Sequence, residues 1–314
     1  MRSWWFNTAV VLLWLATMSW LVREKVLPPL LVGEPPNYSR IIESQEHALP
    51  TAWHILVNHR CVGWALSETQ RQPSGLVEIR DRVHFDVLPV EEVTATWART
   101  FSKWLAQPIG KLRMDARSIL TIDPLGRLLG FDSAVQLHPL NEVLRVRGTV
   151  EGQQLQLTID TGGTPFTSEA FLPSDALLSD ALSPQSRLPG LRVGQTWTVP
   201  VYSPLWPVKS PLEVIHAEVE SLEPLFWNGV MEDCWLVVYR SDSESGADRN
   251  QPPRGRLWVR RNGTVLRQQV TFFNVMITFD RLPDSGAVEM AKAEGPLWWM
   301  MDYWQRGKKH DRVR

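Results

Sequence analysis

The spacing of hydrophobic and polar residues divides this chain into a leading apolar run, a linker, a long alternating region and a mixed tail. The apolar run extends from Trp4 to Val22 without a charged residue. A helix rises about 1.5 Å per residue, so a run of this length just crosses a hydrocarbon core of about 30 Å. We therefore predict a transmembrane signal anchor over residues 1–25.

The residues around this run favour an anchor that is not cleaved. Residues 16–18 (Ala-Thr-Met) make a poor signal-peptidase site, and the first cysteine, Cys61, lies too far downstream for a lipoprotein. A buried core helix would keep a polar face. Arg2 on one side and Arg23 and Lys25 on the other nearly balance the positive-inside rule, but the short N-terminal tail favours export. We expect a single-pass protein of the cell membrane with its bulk in the periplasm.

Residues 26–44 are predicted to be a proline-rich linker, which begins VLPPLLVGEPP. Proline-rich segments stay extended and act as semi-rigid spacers, so this one would hold the next domain away from the bilayer. Loose periodicity of Ile41, Ile42 and Leu49 then predicts a short helix within residues 40–58.

From Cys61 onwards the pattern becomes that of β-strands, and we predict one β-rich extracytoplasmic domain over residues 45–285. Alternating apolar segments are separated by turn-forming residues, which is typical of antiparallel hairpins. Turns are expected at residues 72–75 and 123–126. Further strands are predicted at residues 197–202, 212–222, 234–239 and 270–279.

A hairpin over residues 143–159 is predicted to turn at Glu151-Gly152. That turn places Val146 opposite Leu157 and Leu144 opposite Ile159, on a buried face. The remaining side chains would share the wet face: Arg145, Arg147, Gln156 and Thr158.

A second hairpin is predicted to turn at Asn262-Gly263. This dipeptide favours a type I′ turn, in which both central residues need a positive φ. A two-residue turn places Val259 opposite Leu266. It also places Trp258 opposite Arg267, where an exposed cation–π contact is worth about 0.5–1 kcal/mol.

The period changes to that of a helix between residues 90 and 107, and Pro108 ends it. One stripe is apolar, as in a helix laid over a sheet: Val93, Trp97, Phe101, Trp104 and Leu105. A second short helix is predicted over residues 174–182. The predicted fold class is α+β, mostly antiparallel β, with a curved, one-sided, half-barrel-like sheet, a covering helix and the N-terminal transmembrane helix.

The composition limits which ligands and bound groups can be expected. The 33 Lys and Arg residues nearly cancel the 34 Asp and Glu residues, so no global field would recruit nucleic acid. The two cysteines, Cys61 and Cys234, make no Cys-x-x-Cys or Cys/His cluster, which argues against structural zinc. They could form one disulfide in an oxidising compartment or remain free. No cofactor motif is found, and we assign no catalytic, cofactor or metal residues.

Two short motifs support an alternative enzyme hypothesis. Asp160-Thr161-Gly162 follows an apolar strand, and Asp284-Ser285-Gly286 repeats the pattern. Aspartic proteases place two such aspartates where they share one proton. However, Asp-Thr-Gly is also ordinary turn chemistry, and Pro283 is unsuited to a strand that enters such a site.

The tail, residues 286–314, joins an aromatic patch at 296–304 to a basic end. Aromatic residues beside cations are typical of a segment at an anionic lipid surface. The alternative is a loose tail behind a helix that packs on the domain.

Three segments carry a family resemblance: LTIDPLGRLLGF, LPGLRVGQTWTVPVYSPL and RGRLWVRRNGTVLRQQV. Over roughly residues 61–282 the chain resembles an uncharacterised family of planctomycete-type envelope proteins. It is also similar to β-rich modules that precede bacterial transglutaminase-like domains, although no Cys-His-Asp set follows here. The resemblance implies no catalytic residue and no cofactor, and half-barrel folds that carry lipid or lipoprotein are an analogy of fold alone.

These expectations lead to one function with two alternatives. The first is a non-catalytic envelope protein that binds a protein partner or an apolar ligand, such as a lipid, through its curved sheet. The alternatives are an aspartic protease and a structural subunit of a membrane complex.

Overall fold

The computed structural model describes residues 3–22, 49–87, 113–138, 142–160, 165–173, 177–178, 184–202, 212–241, 252–272 and 275–295. Within them lie the helices α1 (Ser3–Leu21) and α2 (Asp284–Glu294) and fifteen strands. The strands are β1 (Thr51–Val57), β2 (Arg60–Arg71), β3 (Val77–Phe85), β4 (Arg113–Ile122), β5 (Leu128–His138), β6 (Glu142–Glu151), β7 (Gln154–Asp160), β8 (Phe166–Phe171), β9 (Leu177–Leu178), β10 (Thr196–Tyr202), β11 (Leu212–Trp227), β12 (Val230–Ser241), β13 (Gly255–Arg260), β14 (Val265–Phe272) and β15 (Val275–Arg281). The linker at 26–44, the helix predicted at 90–107 and the aromatic and basic tail after residue 295 lie outside the described residues.

The fifteen strands form one sheet, in the order β8-β7-β6-β5-β4-β3-β2-β1-β15-β14-β13-β12-β11-β10-β9. Neighbouring strands are antiparallel except β9 and β10, which are parallel. Each half of the sheet is a meander of consecutive strands, and the pairing of β1 with β15 joins the two halves. The predicted, mostly antiparallel β fold is confirmed, with its turns at 72–75 and 123–126 between paired strands.

The sheet is strongly curved. Phe171 ends one edge strand and Leu177 begins the other, and six residue steps can span at most about 22 Å. A flat sheet of fifteen strands spaced about 4.8 Å apart would hold its edges about 67 Å apart. The edges therefore approach one another, and the sheet is an open, barrel-like structure with a concave and a convex face.

The concave face is filled by the chain's own side chains. The main core joins residues of both halves of the sheet, and Trp53, Ile55 and Phe279 in it are fully buried. A second core between β3 and β7 contains Ile122 and Leu155. Burial of this kind, at about 25 cal/mol per Å² of apolar surface, is the main term that holds the sheet in its curved form.

Helix α2 packs on the convex face, over β1 and β2. Its Ala287 and Met290 contact Ala52 and Leu66. A covering helix was expected at residues 90–107, which lie outside the described residues, and α2 is a different segment.

Two predicted helices are wrong where the structure describes them. Residues 51–57 form β1, in which Trp53, Ile55 and Val57 are buried on one face with period two. Residues 177–178 form the short strand β9. In both places pairing with a neighbouring strand outweighs the weak helical periodicity of the sequence.

The hairpin of β6 and β7 has the predicted faces but a different register. Val146 lies opposite Ile159, and Gly148 lies opposite Leu157. The turn falls one residue later than predicted, and a shift of two positions in the partner strand keeps each side chain on its face. Arg147 and Gln156 are exposed, as expected for the wet face.

The hairpin of β13 and β14 confirms Trp258 opposite Arg267, but Val259 lies opposite Val265 because a bulge intervenes. Gly263 alone of the turn residues has a positive φ, +83°, so the predicted type I′ turn is wrong and the loop is longer. Arg267 donates to Asp280 instead of lying on an indole ring.

None of the described helices combines the length and the apolar character that crossing a membrane requires. The transmembrane helix predicted over residues 1–25 is therefore not found.

Candidate partner-binding surface

The two aspartates of the protease hypothesis are not brought together. Asp160 ends β7, opposite Arg145, whereas Asp284 is an exposed residue in the first turn of α2, 3.4 Å from Arg281. Seven strand steps separate β7 from β15, or about 34 Å along the sheet. A catalytic pair needs a separation of about 3 Å, and the described contacts place these two carboxylates beside different arginines, so the structure lends the protease alternative no support. Residues 161–162 lie outside the described part of the chain.

The two cysteines are free, with Cys61 exposed on β2 and Cys234 buried on β12. Five strand steps separate these strands, and a disulfide needs Cα atoms about 5.5 Å apart. Burial, reinforced by the charge of Glu232, raises the pKa of the Cys234 thiol to about 11. Cys234 is therefore a packing residue, in contact with Leu225 and Leu266.

We expect the two thiols to react at very different rates. At pH 8 a chromogenic disulfide reagent should label one thiol per native chain, because the thiolate is the nucleophile and Cys234 is inaccessible and protonated. In denaturant two thiols should react. A Cys61→Ser variant should show none in the native state, and rapid labelling of that variant would contradict the buried position of Cys234.

A group of charged and aromatic side chains lies on the convex face beside α2. The register aligns Trp64 on β2 with His84 on β3 and Asp115 on β4. Two residues away from His84 and Asp115 on the same strands, Arg82 of β3 lies opposite Arg117 of β4. We call these five residues, together with Glu294 of α2, the convex-face cluster.

The carboxylates of this cluster connect the strands to the helix. His84 Nδ1 lies 3.0 Å from Asp115 Oδ1, and its Nε2 lies 3.3 Å from Asp86 Oδ1. Arg82 donates to Asp115 at 3.4 Å and also to Glu294. The guanidinium of Arg82 lies 5.0 Å from the centre of the Trp64 ring.

Asp115 balances the two arginines electrostatically. Burial would raise its pKa, but the hydrogen bond and charge of His84 and the charge of Arg82 outweigh burial and hold the pKa of Asp115 below its usual range. Burial and the charge of Arg82 lower the pKa of Arg117. Both ring nitrogens of His84 face carboxylates, which leaves neither to activate a nucleophile. The cluster thus holds α2 on the sheet through the contact of Arg82 with Glu294.

A different surface is formed by the long hairpin of β11 and β12. Pairing of β10 with β11 stops at Glu218, and pairing of β13 with β12 stops at Cys234. A bulge lies between Val219 and Ser221. From this bulge onwards β11 runs past β10, and from Pro224 and Asp233 to its turn the hairpin runs past both neighbouring strands.

One face of this projecting hairpin is fixed to the rest of the fold. Trp227 Nε1 donates to the carbonyl of Arg281 at 2.7 Å. The guanidinium of Arg260 lies 4.7 Å from the centre of the Trp227 ring, and Leu225 is buried. The opposite face consequently cannot turn inwards without breaking these contacts.

That opposite face is apolar and exposed. Phe226 lies directly opposite Met231, and these side chains are 63% and 61% exposed, with Leu222 nearby at 38%. We call Leu222, Pro224, Phe226 and Met231 the hairpin patch. The exposed carboxylate of Asp233 lies opposite Pro224 and borders the patch. Contiguous exposed apolar surface beside a charge is typical of an interaction site.

Sequence reasoning placed β11 and β12 but missed the patch, since it ended one strand at residue 222 and began the next at 234. A signal was present. Asn228-Gly229 is an Asn-Gly dipeptide between apolar residues, and its φ angles of 48° and 82° are both positive, as a type I′ turn requires.

These features define an open, barrel-like, antiparallel β domain with an anchored, exposed apolar hairpin. No protein-family model and no curated protein matches the chain. Among solved structures, a β-barrel-like protein of the domain of unknown function DUF1849 from Brucella abortus is 9% identical, with a TM-score of 0.43 over 74% of this chain and 95% of that one. MucB, in complex with MucA(peri), is 9% identical, with a TM-score of 0.15 over 81% of this chain and 96% of that one.

Similarity at this level does not assign a function. The resemblance to planctomycete-type envelope proteins and to modules beside transglutaminase-like domains stays a prediction.

Proposed function

We propose that this chain is a non-catalytic binding protein of the cell envelope that holds a protein partner through the hairpin patch. The observation that carries the proposal is the exposure of Phe226 and Met231 on a hairpin whose other face is anchored. The partner would bring an apolar surface for these side chains and a basic group for Asp233.

A protein partner fits better than an apolar ligand on the concave face. Trp53, Ile55 and Phe279 already occupy that face and are fully buried. A ligand bound there would have to displace packed side chains, which costs several kcal/mol, on the order of a large-to-small core substitution.

We also propose that the domain works outside the cytoplasm. The support is the leading apolar run itself, since Trp4 to Val22 carries no charged residue, as is typical of export signals. A reporter that is active only after export, fused at the C-terminus, should be active, and a reporter that works only in the cytosol should be silent.

The binding proposal is tested by site-specific photo-crosslinking in cells that make the full chain. A photoreactive amino acid placed at Phe226 and one placed at Met231 should both form an adduct with one and the same partner protein. The matched control is Leu125, which is 70% exposed in the turn between β4 and β5 and should give no such adduct.

Equal crosslinking at all three positions, or none at Phe226 and Met231, would contradict the proposal. A partner recovered in fixed stoichiometry through several purification steps would instead favour the structural-subunit alternative.

A further inference from the structure

One edge of the sheet is a strand without a described neighbour. β8, Phe166–Phe171, pairs with β7 on one side, and no other described strand pairs with it. All its residues except Ala170 are exposed, including Phe166 at 63% and Phe171 at 61%. The opposite edge strand, β9, has two residues.

The hydrogen-bonding pattern shows which backbone groups β8 presents at this edge. Leu172 N–H donates to Gln153 C=O at 2.9 Å, in continuation of the β7–β8 ladder. In an antiparallel pair these bonds alternate along the strand. Residues 166, 168 and 170 therefore bond to β7, whereas Thr167, Glu169 and Phe171 direct their N–H and C=O groups away from it.

Proteins usually protect such an edge with proline, lysine, a bulge or a very short strand. Residues 166–171 contain no proline and no lysine, and the pairing of β7 with β8 shows no register shift. Glu169 is the one charged residue of β8, and the outward-directed backbone groups on either side of it are what strand addition requires.

We propose that β8 accepts an extended segment of a protein partner as an added strand, with a basic residue opposite Glu169 and an apolar residue beside Phe171. This inference rests on the proposed function only in so far as the partner is a protein, because the edge of β8 is separate from the hairpin patch. Opposite charges directly across a strand pair stabilise it.

A second copy of the chain fits this edge less well. In the symmetric antiparallel pairing that aligns Thr167 with Phe171, Glu169 would lie directly opposite its own equivalent, and like charges there are unfavourable. Registers that avoid this contact shorten the overlap. Charge complementarity therefore favours a different, basic partner.

The test uses the full chain and a fluorescent seven-residue peptide with valine at alternate positions and a central lysine. A control peptide carries glutamate in place of the lysine. Fluorescence anisotropy should show about threefold tighter binding of the lysine peptide, and Glu169→Lys should reverse the preference. Hydrogen exchange should slow on peptide binding at Thr167, Glu169 and Phe171.

Glu169→Pro gives a second, steric test. Proline is tolerated on an edge strand where its missing N–H points outwards, so the variant should keep the β7–β8 ladder and its native circular dichroism, yet bind about tenfold more weakly. Binding unaffected by Glu169→Pro or by the charge exchange, or no binding of either peptide to the native chain, would overturn the inference. Phe226→Ser should leave peptide binding unchanged, which separates this result from failure of the hairpin proposal.

Discussion

Replacing Trp53 by alanine is expected to lower the free energy of unfolding by about 3–5 kcal/mol. The indole is fully buried where β1 joins the two halves of the sheet, so its removal leaves a cavity that the flanking strands cannot close. The guanidinium of Arg281 also loses the ring, 5.7 Å away, over which it lies. Chemical denaturation followed by circular dichroism measures the change, which is a large fraction of the about 5–15 kcal/mol of a typical domain.

Two variants make this result specific. Trp53→Phe keeps most of the packing and removes Nε1, which has no hydrogen-bond partner among the described residues, so we expect a loss of about 1 kcal/mol. Phe226→Ser should change stability by less than about 0.5 kcal/mol, since the ring is largely exposed. A similar loss in Trp53→Ala and Phe226→Ser would contradict the assignment of one face as core and the other as a binding surface.

Replacing Asp115 by alanine is expected to destabilise the domain by about 3 kcal/mol. The carboxylate is 14% exposed and lies beside Arg82, which is 10% exposed. Without it, Arg82 and Arg117 face each other on neighbouring strands with Glu294 as the nearest remaining counter-charge. Thermal denaturation at neutral pH measures the loss.

Asp86→Ala is the matched control, because Asp86 contacts the other nitrogen of the same histidine but is 69% exposed. The loss of stability in this variant should be below about 0.5 kcal/mol.

The lowered pKa of Asp115 also predicts that its contribution to stability depends on pH. Its contribution is present above the unperturbed pKa of about 3.9 and is lost as the pH falls through the lower folded value. The difference between the native chain and Asp115→Ala should therefore shrink in acid, and a constant difference would be inconsistent with the ion pair.

Local patterns in the sequence were sufficient for most strands and for the faces of the β6–β7 hairpin. Period-two alternation is a property of neighbouring residues, so Val146 and Arg147 could be assigned to opposite faces without knowledge of their partners. The exact register was less accessible. It depends on where a turn begins, and a shift of one residue in the turn moved Leu157 from Val146 to Gly148.

Features that depend on distant residues could not be predicted. Arg82 meets Glu294 across 212 positions of sequence, and no spacing rule connects a strand residue with the end of a later helix. The pairing of β1 with β15 likewise joins residues far apart in the sequence, although its pairing with β2 is local. The hairpin patch is a different case. Its Asn228-Gly229 turn can be recognised in the sequence, but the strands on both sides of the turn were predicted too short to include the patch.

The contact between β1 and β15 also bears on how the polypeptide reaches this architecture. Each meander can form from short-range hairpins as it leaves the ribosome. The pairing of β1 with β15 in the middle of the sheet has to wait until β15 has been synthesised. Until then β1 and the growing second meander each have an unpaired strand edge, at which intermolecular pairing with other chains can occur. Closing so long a loop is intrinsically slow, so formation of the β1–β15 pair is expected to be a late step in folding.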